Sequence, residues 1–257
     1  MSQPLTQILA SAAFALAAAA LAYRQRLHLS RSLLGASVRA AVQLAVVGAL
    51  IALVFRVPTL AIAFVAVMVT TASLTAGSRV RALPGARRIA VTAIALPALA
   101  AVGVLLAVGA FAATPRATIP TAGILIGGAM LSTTLTGRRL VEGLADGAEE
   151  IEARLALGDR ARDALAPLCR RAITAALVPL IDQTRSAGLV TLPGTFVGLV
   201  LGGASPATAA RVQLTVLLTL LLVQLLSALL TAELVTRAAT LPGERVLVTS
   251  PEARRLR

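Results

Sequence analysis

From Leu5 to Leu135 the chain contains no aspartate or glutamate, and its apolar runs are as long as a bilayer-spanning helix. A bilayer core needs about 20 apolar residues per helix, within roughly 17–25. Seven such segments can be drawn, near 5–22, 38–55, 57–76, 89–112, 119–136, 187–204 and 212–235. The expected fold is an all-α polytopic membrane protein with about seven transmembrane helices. Composition agrees: 58% of the 257 residues are hydrophobic and only 14% charged, far from the balance of a soluble domain.

The gaps between runs set the expected orientation. Arg24, Arg26 and Arg31 lie in one gap and Arg79, Arg81, Arg87 and Arg88 in another. A long gap over 137–186 holds eight arginines, and the tail holds Arg237, Arg245, Arg254, Arg255 and Arg257. The alternate gaps, around 56, 113–118 and 205–211, are short and carry one arginine each. Excess arginine marks the cytoplasmic face, which places the N-terminus outside and the C-terminus in the cytoplasm. An eighth span through Ile173–Ile181 is too short and holds Pro179, so that stretch is expected as a helix near the interface. The whole chain, 1–257, is expected to form one transmembrane domain of a multi-pass cell-membrane protein. MSQPLTQ lacks the positive start of a signal peptide, so the first apolar run is expected to be retained.

Several chemistries are excluded. The net charge of +13 would suggest nucleic acid in a soluble protein, but aromatic residues make up 2% of the chain and no basic groove interleaves with them. All 24 basic residues are arginine. Without lysine there is no P-loop, no Schiff base and no Ser–Lys pair. The single Cys169 permits no internal disulfide and no cysteine metal site. With one His28 and no clustered carboxylates, no nucleophile–base pair is visible. The chain is therefore expected not to be an enzyme, with no cofactor of its own.

One feature stands apart from this pattern. Residues 151–168, IEARLALGDRARDALAPL, carry three acids and three arginines inside the long insert. Ala148, Ile151 and Leu155 can share one helix face, with Glu149, Glu150, Glu152 and Arg154 elsewhere. Gly158 supplies a helix C-terminus and Asp159 can cap the next helix, which must be irregular or kinked at Pro167. By pattern alone, the insert is either a solvated loop whose charges orient the spans or a docking element for a cytoplasmic partner.

Glu152-Ala153 followed by Gly158 resembles the E-A-A-x-x-x-G coupling helix of ABC-transporter permeases, with Arg154 in place of the second alanine. Residues 175–213 resemble the signature of the FetB-like permease family through Pro179, Asp182, Gly188-Leu189-Val190, Leu192-Pro193-Gly194, Gly198-Leu199, Gly203, Pro206 and Gln213. VRAAVQLAVVG at 38–48 resembles that family's second span, with Arg39 and Gln43 in place. Where relatives commonly read G-A-T-P after the coupling helix, this chain has Gly158-Asp159-Arg160-Ala161. The resemblance implies the permease subunit of an ABC transporter in a family associated with iron export. It further implies a homodimer served by a cytoplasmic ATPase subunit that binds ATP-Mg. Glu152, Ala153, Gly158 and Asp159 would then couple to that ATPase. The alternatives are an ABC permease for a non-metal substrate, or a stand-alone secondary transporter or channel. Scarcity of acids within the spans opposes a proton-coupled version.

Polar groups within hydrocarbon are the remaining candidates for gating or a substrate path. Arg39 and Gln43 share a helix face, and either line that path or serve snorkelling and helix contact. Pro193 and Gly194 are expected to kink or break the sixth span. Asp182 and Arg185 can pair at i, i+3, with the expected location at the cytoplasmic edge. Gln213, Gln224 and Ser132-Thr133-Thr134 either line a pore or bond between helices. No metal ligand set is visible.

Overall fold

The computed structural model describes residues 3–55, 57–83 and 85–247. Arg56 and the tail arginines Arg254, Arg255 and Arg257 lie outside them. The described chain comprises α1 (Gln3–Arg24), α2 (Ser30–Val54), α3 (Pro58–Arg79), α4 (Ala86–Ala107), α5 (Pro115–Asp146), α6 (Ala148–Ala156), α7 (Ala161–Ser186), α8 (Gly194–Leu201) and α9 (Pro206–Ala239). A two-residue antiparallel hairpin follows, β1 (Thr240–Leu241) and β2 (Arg245–Val246). Seven helices are long and apolar enough to cross a membrane: α1 to α5, α7 and α9. The chain is an all-α, multi-pass membrane protein.

Helix starts follow local chemistry. Pro115 and Pro206 open α5 and α9, where a missing amide hydrogen costs nothing. Ser205 accepts from the Thr208 amide at 3.3 Å and caps α9.

The chain divides into two compact units, Met1–Pro58 and Thr59–Arg257. In the first, α1 and α2 pack on each other. Their turn is tight, with Arg26 and His28 in left-handed conformations. In the second unit, α5 and α9 pack side by side at the centre, and α4 and α7 each touch both. At 32 and 34 residues, α5 and α9 run to roughly 48 and 51 Å, against about 30 Å of hydrocarbon. They therefore extend well past the bilayer core.

Two hydrophobic cores divide that length. One joins α3, α4, α5 and α9 through Ala72, Ala76, Ala90, Ala98, Ala122 and Ala129, with Ile94, Leu125 and Val223 between them. Small side chains allow close helix approach where lipid gives no hydrophobic drive. The other core lies at the insert end and joins Val80, Leu83, Ile89, Leu140, Leu144, Ile151, Leu165 and Val235. The α3–α4 turn, the insert and the end of α9 thus share one end of this unit.

Three expectations change. The sixth span is α7, not 187–204: Ile173–Ile181 lies inside a continuous 26-residue helix that runs through Pro167 and Pro179. Its first half packs on α5 and α9 through Ala164, Leu165 and Ala172, while Arg170 and Arg171 lie on its exposed side. Residues 187–204 instead form a turn, the eight-residue α8 and a second turn, with Gly188 and Gly203 at φ +90. Finally, 137–146 is no loop but the last three turns of α5.

Candidate functional site

Helix α6 is amphipathic, and its two faces do different things. Ile151 is buried in the insert-end core and Leu155 packs against it. Glu149, Glu152, Ala153 and Ala156 face outward. Leu157, at the tip, is 88% exposed. The acids Glu149 and Glu150 occupy the first turn, where the helix dipole favours them. Glu150 meets Arg154 at 3.8 Å and Arg171 of α7 at 3.6 Å, which ties α6 across to α7. Glu152 has no ion-pair partner among the described residues. The result is a short helix seated by one face and offering acidic, small and apolar side chains on the other.

Gly158 ends this helix as expected, at φ +97. The Asp159 amide donates to the Arg154 carbonyl at 3.1 Å and the Gly158 amide to that of Leu155 at 3.0 Å, the paired bonds of a Schellman turn. The hydrophobic contact that usually closes this motif is replaced by the Arg154–Asp159 ion pair at 3.4 Å. Asp159 therefore does not cap α7. That cap comes from Glu244, past the end of α9, whose carboxylate accepts from the Ala161 amide at 2.7 Å.

The remaining sequence candidates are dispersed. Arg39 and Gln43 are exposed on α2. Asp182 and Arg185 do pair, at 3.6 Å, but at the end of α7 farthest from the insert. Pro193 and Gly194 form the junction into α8 instead of a kink within a span. Gln213 lies near the start of α9, and its buried Oε1 has no partner among the described residues. Among the described residues no three His, Cys, Asp or Glu side chains cluster as metal ligands.

A family model described as "Uncharacterised protein family (UPF0014)" matches residues 5–239. The chain belongs to UPF0014. It is 39% identical over 202 residues to "UPF0014 membrane protein STAR2" of rice, covering 78% of this chain and 71% of that protein. It is 33% identical over 207 residues to "Protein ALUMINUM SENSITIVE 3" of Arabidopsis thaliana, covering 79% and 75%. It is 30% identical over 198 residues to "Probable iron export permease protein FetB" of Escherichia coli, covering 76% of each. No solved structure gives a significant match.

Two polar arrangements join helices in this UPF0014 chain, and the first involves Ser132, Thr133 and Gln224, which the sequence offered as pore-lining or interhelical groups. Ser132, Thr133 and Thr136 of α5 and Gln224, Ser227 and Thr231 of α9 are all buried. Ser132 donates to the Gln224 backbone carbonyl at 2.7 Å, an interhelical bond, while the Thr133, Thr136 and Ser227 hydroxyls have no partner among the described residues. The second arrangement binds α7 to α9. Arg162 donates to Glu233 at 3.0 Å, Arg237 donates to the same carboxylate at 2.9 Å, and Cys169 touches Thr236 at 3.4 Å. Glu233 is therefore a doubly paired clamp at the insert end.

Proposed function

We propose that this UPF0014 chain is the membrane permease subunit of an ABC transporter, exporting iron or a related metal with ATP hydrolysed by a separate subunit. The observation that carries this reading is the outward face of α6. A helix held by Ile151 and Leu155, with Glu152 unpaired and Leu157 at the tip, is shaped to seat in a partner's groove. The seven-span topology supports a cytoplasmic insert end. In the second unit Arg116, Arg185 and Arg211 lie at the opposite end, and the other described arginines gather at the insert end. The chain has no lysine for a P-loop, so ATP-Mg would sit on the cytoplasmic ATPase, and two permease copies would assemble with it.

The names of two relatives point to a hard cation as cargo. Iron export appears in the name of one relative and aluminium in that of another. Such ions accept oxygen ligands, whereas thiolate and imidazole suit softer metals.

The test isolates the chain from its native membranes and measures ATP hydrolysis by what remains bound. Glu152→Arg alters an exposed side chain with no bond to lose, so the fold is expected to survive. Its combination with Gly158→Leu adds about 1–3 kcal/mol of backbone strain at the positive φ. ATPase activity that accompanies wild type and falls at least about tenfold in Glu152→Arg supports the reading. Intact wild type that retains no ATPase in several mild detergents refutes it.

A further inference from the structure

Between the end of α3 and the start of α4 lies a cleft of about 750 Å³. Its rim carries Arg81, Arg87 and Arg88, and its wall includes Gly77, Ser78 and Leu74. Six other arginines at this end find acids: Arg138 and Arg139 meet Glu142, Arg154 and Arg171 meet Glu150, and Arg162 and Arg237 meet Glu233. Arg79, Arg160, Arg170 and Arg245 find none among the described residues, but none of them lines this cleft. The three cleft arginines have no carboxylate partner among the described residues. The first turn of α4 contains no acid and its N-cap, Gly85, gives no side-chain cap. The positive end of that 22-residue helix therefore adds its field to three uncompensated guanidiniums.

From this we infer that the α3–α4 cleft is a binding site for the phosphoryl headgroup of an anionic membrane lipid. Guanidiniums match phosphate oxygens in bidentate geometry. The wall decides between lipid and free phosphate. Leu74, 54% exposed, lies more than a helical turn back along α3, on the apolar side of the arginines, where an acyl chain would lie. A basic rim above an apolar wall suits an amphiphile better than a soluble anion. The site also bears on the insert: Val80 and Leu83, from the same turn, belong to the core that holds Ile151 of α6. A bound headgroup braces the platform on which α6 rests. The inference stands independently of the ABC reading.

The experiment uses the full chain in dodecylmaltoside micelles, measuring thermal unfolding and, by native mass spectrometry, retained lipid. Phosphatidylglycerol, phosphatidylcholine and inorganic phosphate are the three probes. Phosphatidylglycerol is expected to stabilise wild type where the other two do not. Arg81→Gln/Arg87→Gln/Arg88→Gln is expected to weaken that binding by about a hundredfold, and Arg81→Gln alone by about fivefold. The single variant, on the turn outside both helices, serves if the triple folds poorly. Arg24→Gln/Arg26→Gln/Arg31→Gln removes equal charge elsewhere and is expected to retain the effect. An equal loss in that comparator overturns the site in favour of diffuse attraction. Equal stabilisation by inorganic phosphate overturns the lipid source. Unchanged binding in both cleft variants overturns the inference outright.

Discussion

Glu244 adopts a left-handed backbone, φ +55, an uncommon conformation for a residue with a side chain. It does so where the carboxylate meets the exposed amide of Ala161 at 2.7 Å. The α7 N-cap residue, Arg160, makes no cap bond of its own, so a residue 83 positions away completes the helix. Glu244→Ala is expected to lower stability by about 1 kcal/mol, while Glu244→Gln keeps an acceptor and loses only a few tenths, from the charge–dipole term. Denaturant unfolding in detergent checks both, and equal losses would show that charge rather than the bond matters. Gly158 makes the contrast in legibility. Its role was readable because a Schellman turn is closed by neighbours in sequence. Glu244 was not, because nothing local announces which distant helix a carboxylate will cap.

Helices assemble here by close approach, and that sets what their faces tolerate. A Cβ on Gly137 of α5 would overlap Val80 Cγ1 and sit near Thr231 of α9. Val80 is fully buried and β-branched, with little freedom to move aside. Gly137→Ala is therefore expected to cost about 1–3 kcal/mol. Gly127→Ala, on the same helix with open space around its Cβ, is expected to be neutral or mildly stabilising. A melting temperature that falls for both would assign the effect to helix flexibility instead of packing. The amphipathic α6 was legible because Ile151 and Leu155 follow the helical period. The sixth span was not. Arg170, Arg171, Pro167 and Pro179 break the apolar pattern of α7, yet α5, α9 and α6 supply the contacts that lipid would otherwise demand. Residues 187–204 misled in the opposite sense, since an unbroken apolar run conceals the glycine and proline breaks that keep α8 to eight residues.

The whole-molecule consequence is a change in what lies on which side, with the number of crossings unaltered. Exchanging 187–204 for α7 leaves seven candidate spans. It moves Asp182, Arg185 and the apolar loop before α8 from the insert end to the far end. Leu189 and Val190, 95% and 82% exposed, then lie past the end of α7 away from Glu152. Cysteine accessibility separates the two arrangements. In a Cys169→Ser background, Glu152→Cys is expected to react with a membrane-impermeant maleimide only after the membrane is opened. Leu189→Cys is expected to react from outside in sealed cells, because α7 is about 39 Å long and carries the chain across the roughly 30 Å core. Labelling of both positions from the same face would return the crossing to 187–204. It would also return the Asp182–Arg185 pair to the insert end, beside the α6 platform.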